Sequence, residues 1–413
     1  LHKKRHWTIL AGLTALVLVG QAALSGCGQT PAAQTNTLKV GLIDAYSGPA
    51  SVYAKDALDG FQLGVNEVAQ NGGPKITFVT RDDQFKTDKD LQWAKELVMQ
   101  DKVDVVAGLI NSAGALAVAS YATQQKVPFI TWMSMSADIT GSHGSPYVFA
   151  MPPNTTMIGN AGGVEMAKLP YTKYWLAGDD YDYGRSVVKS FWSSLQKAKP
   201  GVQKLGESWW PVGETDYTPY INQIRAAKPD ALFVGTGGAD MVSFLKAVKA
   251  AGLTSQMAVL DHTATDPSTL KALGPDAPVG LYGTSDYLSY YPDTAQNKAF
   301  VAAFRKAYNT DPGFPALYGY LTAKFLGAAV QKAGGTDKEK LVAALSGMTM
   351  DSPVGPVTIR SGDNQLEAPI FFGKTVVAPG QSSLVAANPV MIPADQIMPS
   401  LTDVMAARQS AQK

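Results

Sequence analysis

Hydroxyls and carboxylates collect where short apolar runs end. Leu38–Ile43 is followed by Asp44-Ala45-Tyr46-Ser47-Gly48-Pro49, with Ser51 and Tyr53 just beyond. Ser47-Gly48-Pro49 is turn chemistry and Ser51 fits a helix N-cap, so Tyr53 either packs on a helix start or walls a cleft. Val103–Ile110 runs into Asn111-Ser112-Ala113-Gly114. A serine opening a helix, with free backbone N–H groups behind it, suits a carboxylate; the plainer role is a cap. A nucleophile elbow would need glycine two residues earlier, where Ile110 stands. Thr131-Trp132-Met133-Ser134-Met135-Ser136 would line a half-apolar pocket or serve as packing.

Further along, Gly178-Asp179-Asp180-Tyr181-Asp182-Tyr183-Gly184 carries three acids without the spacing or terminal glutamate of a calcium loop, and reads as capping on a solvated turn. Gly235-Thr236-Gly237-Gly238-Ala239-Asp240 lacks the third glycine of a dinucleotide fingerprint. In Leu260-Asp261-His262 the acid could pair with a ligand ammonium, and the histidine reads as a surface residue. There is no His-Glu-x-x-His, no Walker loop and no Cys–His pair, so no catalytic set, metal site or cofactor is expected.

The elements that must position these residues alternate. Strands are expected at Leu38–Ile43, Ile76–Thr80, Val103–Ile110 and Pro128–Trp132, with helices at Val52–Gln70, Thr87–Gln100 and Ala113–Gln125 between them. A second series has strands at Lys173–Ala177, Val202–Trp209, Ala231–Gly235 and Met257–Leu260. Its helices are Gly184–Lys197, Thr218–Ala227 and Ala239–Ala251. Helices at Asn297–Tyr308, Pro315–Lys332 and Asp337–Leu345 follow, then strands at Val354–Ile359 and Ile370–Thr375. The expected fold is α/β, with two doubly wound parallel-sheet lobes. In such sheets ligands sit beyond the carboxyl ends of the strands, where the polar clusters fall. From Ala378 the chain is interrupted by prolines and reads as a surface extension.

With 413 residues, 35 Lys+Arg against 34 Asp+Glu and a net charge of +1, the chain offers no basic face for nucleic acid. A single cysteine excludes a disulfide framework. That cysteine has a telling place. Lys3-Lys4-Arg5, an apolar run from Trp7 to Val19 and Leu24-Ser25-Gly26-Cys27 form a secretory signal, residues 1–26. Leu-Ser-Gly-Cys resembles a bacterial lipobox, which implies lipidation of Cys27. Loss of the three cations takes the net charge from +1 to −2. Residues 27–37 are small and uncharged and read as a tether, so the protein is expected outside the cytoplasm, anchored at a membrane surface.

Taken together, Ser47-Gly48-Pro49 with Tyr53, Asp82-Asp83-Gln84, Asn111-Ser112, Ile130-Thr131 through Ile139-Thr140, Ser145 to Phe149, Tyr183-Gly184, and Gly213 with Asp216-Tyr217 resemble the leucine/isoleucine/valine-binding group of ABC-transporter solute receptors. These have the type I periplasmic-binding fold. The resemblance implies three interlobe crossings, near Ser145–Pro152, Gly280–Tyr287 and Asp351–Pro356. Lobe 1 would be 38–146 with 286–350, lobe 2 would be 147–285 with 351–385, and 386–413 an extension. It also implies a monomer that captures a small polar solute, best an amino acid of branched-chain type, for an ABC permease. Receptors for amides or aromatic acids and ligand-sensing ectodomains are the alternatives. By the same resemblance Ser112 and the backbone near Ser134 would hold a carboxylate, Asp261 an ammonium, and Tyr53 and Tyr183 would wall the pocket. Met135 and Gly237 depart from the pattern, which has a small hydroxyl residue and a tyrosine there.

Overall fold

The computed structural model describes residues 37–48, 50–378 and 383–411. The signal, Cys27 and all of the tether but Thr37 lie outside the described residues. The first apolar run is strand β1 (Thr37–Asp44), followed by α1 (Ser51–Gln70), β2 (Lys75–Asp82), α2 (Thr87–Met99), β3 (Val105–Gly108), α3 (Ser112–Gln125), β4 (Phe129–Thr131) and β5 (Val148–Ala150). They form a five-stranded sheet in the order β2-β1-β3-β4-β5, every pair parallel. β3 is buried along its whole length, as a parallel strand covered on both faces must be.

The chain then passes to a second series: α4 (Thr155–Ala167), β6 (Lys173–Asp179), α5 (Asp182–Ala198), β7 (Gln203–Trp210), α6 (Thr218–Ala227), β8 (Ala231–Gly235), α7 (Gly238–Ala250), β9 (Ala258–His262), α8 (Pro267–Leu273) and β10 (Tyr282–Ser285). Next come α9 (Ala295–Tyr308), α10 (Phe314–Ala333) and α11 (Lys338–Leu345), with α10 laid along α1 of the first lobe. The small antiparallel sheet β11 (Thr349–Ser352), β12 (Gly355–Ile359) and β13 (Leu366–Glu367) precedes β14 (Ile370–Val376), β15 (Val385–Ile392) and α12 (Leu401–Ala411). The second sheet runs β15-β14-β10-β9-β8-β6-β7. Its five strands from β7 to β10 repeat the order of the first sheet, so each lobe has one switch point, between β1 and β3 and between β6 and β8. The fold class expected from the alternating pattern is the one observed.

Several segments differ from expectation. The first sheet extends to Ala150, and the chain enters the second series between there and Thr155. Asp351–Pro356, expected to cross between lobes, is the β11–β12 hairpin. Its proline and glycine build a turn, with Gly355 at φ +101°, and the passage to the second sheet falls between β13 and β14. Gln365 holds this region to the first crossing, donating to the carbonyls of Ala150 (3.4 Å) and Pro152 (2.7 Å) and accepting from Asn154 (3.2 Å). The segment read as a surface extension contains β15, antiparallel to β14 from Ile370 opposite Ile392 to Val376 opposite Val385. Pro389 sits where the register shifts, and a bulge in an edge strand is a place that tolerates proline.

Candidate functional site

Each lobe brings the ends of its switch-point strands to one cleft. There a cavity of about 140 Å³ is walled on the first lobe by Tyr53, Phe85, Ser112, Met133 and Met135. The second lobe contributes Asp179, Tyr181, Tyr183, Gly237, Asp240 and His262.

Tyr53 stands in the first turn of α1, 5.8 Å from the Phe314 ring, and its hydroxyl lies 3.4 Å from Thr269 Oγ1 of α8. It therefore touches the second lobe. Ser112 opens α3, but the cap is its neighbour: Asn111 Oδ1 accepts from the N–H groups of Ala113 (3.1 Å) and Gly114 (3.4 Å). The Ala115 N–H donates to the Asn111 carbonyl. The donors left to this helix end are the Ser112 N–H and hydroxyl. Tyr183, at the start of α5, reaches the same cavity, its ring 6.1 Å from Tyr181.

Ser134 does not join them. Its N–H donates to Thr131 Oγ1 (3.0 Å) and its hydroxyl to the Leu109 carbonyl (2.8 Å), while the flanking Met133 and Met135 face the cavity. Trp132 is packing: it is fully buried, 5.7 Å from the Phe61 ring, and donates through Nε1 to Asp44 Oδ2 at 2.6 Å. Asp261 is also fully buried, and it does not line the cavity, although its chain neighbours His262 and Thr263 do. Its Oδ2 accepts from Thr236 Oγ1 (2.6 Å), and Oδ1 has no hydrogen-bond partner among the described residues. Burial pushes its carboxyl well above the usual range, opposed by the Thr236 bond.

Two residues set aside in the sequence are part of the wall. Asp179, read as a solvated turn residue, is 2% exposed and accepts from Trp210 Nε1 at 2.8 Å. Burial pushes its carboxyl up to about 7, helped by the nearby Asp240 charge and opposed by the Trp210 N–H. Its place at a strand end was legible; its burial depended on Trp210, at the end of the adjacent strand β7. His262, read as a surface residue, is 1% exposed. Its Nδ1 lies 3.0 Å from Thr284 Oγ1 and its Nε2 3.4 Å from Asp286 Oδ1. Burial lowers its pKa to about 3, so the imidazole is neutral. Phe85, Asp240 and Phe314 had no sequence signal as wall residues.

The cavity is chemically polarised. Ser112 and the positive end of α3 lie on the first lobe, carboxyls of Asp179 and Asp240 on the second, and methionines and aromatic rings between; among the described residues neither lysine nor arginine lines it. Gly237 is extended, at φ −151°, and an added Cβ would meet only Tyr183 Cε1, at 3.9 Å. The backbone does not require glycine there, and the missing side chain leaves room in the cavity. No group of three or more His, Cys, Asp or Glu that could hold a metal occurs among the described residues.

Known proteins share this architecture. A Leu/Ile/Val-binding protein homolog from Brucella melitensis is 26% identical over 378 residues, covering 89% of this chain and 93% of that protein. The crystal structure of an ABC-transporter solute-binding protein from Rhodopseudomonas palustris in complex with 3,4-dihydroxybenzoic acid is 29% identical, with a TM-score of 0.79 over 87% of this chain and 98% of that one. An ABC-type branched-chain amino acid transporter structure from the same species is 27% identical, with a TM-score of 0.71 over 88% and 99%. The family model described as periplasmic binding protein matches residues 37–381. Two lobes of one strand order, closing on a cleft at their switch points, are thus the frame of a known group, and the chain belongs to the periplasmic binding protein family.

Proposed function

We propose that the protein is the extracytoplasmic receptor of an ABC importer, held to the membrane through lipidated Cys27, and that it captures a small amino acid in the interlobe cleft. It acts as a binding protein and not an enzyme, handing its solute to the permease as a monomer. The observation that carries the ligand class is the polarity of the cavity. Ser112 and the α3 end offer donors to a carboxylate, while the carboxyls of Asp179 and Asp240 offer acceptors to an ammonium. A zwitterion bridging the two lobes joins charge-assisted hydrogen bonds at both ends, and the methionine and aromatic walls take its side chain.

A second reading has its own support. Five aromatic residues, Tyr53, Phe85, Tyr181, Tyr183 and Phe314, line the cavity, and the R. palustris relative is bound to an aromatic acid. An aryl carboxylate would use the same Ser112 end and leave the acidic wall to its ring substituents.

Thermal unfolding of the chain from residue 28, with 1 mM ligand, separates the two. A ligand of micromolar Kd adds about 4 kcal/mol at that excess. Leucine and phenylalanine should raise the melting temperature, and their des-amino analogues should not. Stabilisation by 4-hydroxybenzoate with none by amino acids would replace the zwitterion with the aryl acid.

A further inference from the structure

The turn that follows β2 holds two consecutive side-chain-bearing residues in the left-handed region, Gln84 at φ 58° and Phe85 at φ 61°. Non-glycine residues are uncommon there, and a bulky aromatic one is an outlier. The conformation is imposed by the two aspartates before it. Asp82 Oδ1 accepts from the Gln84 N–H (3.1 Å), and Asp83 Oδ1 accepts from the Phe85 N–H (2.5 Å). The Lys86 N–H closes the turn on the Asp83 carbonyl (3.1 Å). Both anchors are fixed in turn. Asp82 Oδ2 accepts from the Ser47 hydroxyl (2.6 Å), and its carbonyl accepts from Trp93 Nε1 (3.0 Å). Asp83 is fully buried, and its N–H donates to the Asp44 carbonyl (3.1 Å).

The held ring does no work for the fold. Phe85 is half-buried and packs into none of the three hydrophobic cores formed by the described residues. It lines the cleft cavity instead. Strain of this kind persists only where the surroundings over-determine it, and such places cluster at ligand clamps. We infer that Phe85 is a ligand-contacting residue that sets specificity: the Asp82–Lys86 turn holds its ring against the apolar or aryl group of the solute. Asp83 is the positioning residue, acting through the Phe85 N–H. This inference rests on the solute-binding reading above and adds that the side group, beyond the carboxylate, is selected by an aromatic face.

The test is titration calorimetry of the wild-type chain from residue 28 and of Phe85→Ala and Phe85→Leu against leucine, phenylalanine and 4-hydroxybenzoate. The unliganded variants should melt with the wild type, because the ring belongs to no core. Phe85→Ala should weaken the tightest ligand about tenfold or more, as expected for loss of a buried aromatic contact, with Phe85→Leu between. The loss should be greater for the ring-bearing ligands than for leucine. Asp83→Asn should reproduce part of that loss, and the double variant should bind no worse than Phe85→Ala alone; additive losses would remove Asp83 from the role. A wild-type chain that binds while Phe85→Ala is indifferent, or weakens all ligands equally, overturns this inference alone. A wild-type chain that binds nothing in the panel overturns the ligand class proposed above and this inference with it.

Discussion

Each lobe repeats one device at its switch point. β1 ends in Asp44, whose carboxylate accepts from Trp132 Nε1 at 2.6 Å; β6 ends in Asp179, which accepts from Trp210 Nε1 at 2.8 Å. Burial pushes both carboxyls from an ordinary 3.8 up to about 7, against the opposing indole bonds. Asp56 and Asp266 are likewise pushed up to about 7 by burial. The consequence has a definite sign. A carboxyl whose folded pKa exceeds its unfolded one binds more protons when folded, so its contribution to stability is full at low pH and is lost as pH rises through the folded value. His262, lowered to about 3, acts in the opposite direction as pH rises toward its unfolded value of 6.5, and these four carboxyls outweigh it. The melting temperature of the ligand-free protein should therefore fall as pH is raised from about 5 to about 7.5 and go on falling above that, because burial pushes Asp90 up to about 9 and holds Asp261 and Asp286 well above the usual range, and Asp44→Asn should flatten part of the slope. A profile that is flat or rising over that range would show these carboxyls to be better solvated than their burial indicates. The places of the strand-end acids were legible in the sequence, because each ends an apolar run. Their burial was not, since it depends on a tryptophan from another strand.

At the scale of elements, what could be read was what has a period. β3 and β8 are unbroken apolar runs, and α5 has buried residues at helical spacing, Val187, Val188, Phe191 and Leu195. The strand β5, at three residues, is too short to carry a pattern. α4 escaped for a different reason. Its sequence, Thr-Thr-Met-Ile-Gly-Asn-Ala-Gly-Gly-Val-Glu-Met-Ala, has three glycines and no polar face, because the helix is enclosed. The glycines answer to α5: an added Cβ at Gly159 would lie 2.4 Å from the Phe191 backbone nitrogen, and one at Gly163 would lie 2.7 Å from Ser194 Cβ. Gly159→Ala thus sets intrinsic helix propensity against packing. The gain is roughly 1 kcal/mol and the overpacking loss about 1–3 kcal/mol, so the substitution should destabilise. Urea unfolding of the variant checks this; a midpoint equal to or above that of the wild type would mean that α4 can stand off from α5 without loss.

The whole molecule is tied together at more places than its crossings. After β15 completes the edge of the second sheet, the chain returns toward the first lobe. Ile397 is fully buried and its carbonyl accepts from Asn160 Nδ2 of α4 at 2.8 Å. From α12, Arg408 then donates to the carbonyls of Thr140 (2.7 Å), Gly141 (3.2 Å) and Gly362 (3.0 Å). Thr140 and Gly141 belong to the segment between β4 and β5, so residues 393–411 link α4 of the second lobe with the first. The family match ends at residue 381, before this link begins. Periodicity could not announce it: α12 buries only Val404, and much of its hold comes from one guanidinium that reaches three carbonyls in two loops distant in sequence. If the link bears load, Arg408→Ala leaves those carbonyls without a charged donor and should lower stability by about 1–3 kcal/mol. The cleft lining would be untouched, because neither Arg408 nor its acceptors reach the cavity. Thermal unfolding with and without the tightest ligand measures both parts: the melting temperature should drop in each case by a similar amount. An unchanged melting temperature would reduce α12 to a surface attachment, whereas a drop seen only without ligand would mean that the link and the bound solute stabilise the same arrangement of the lobes.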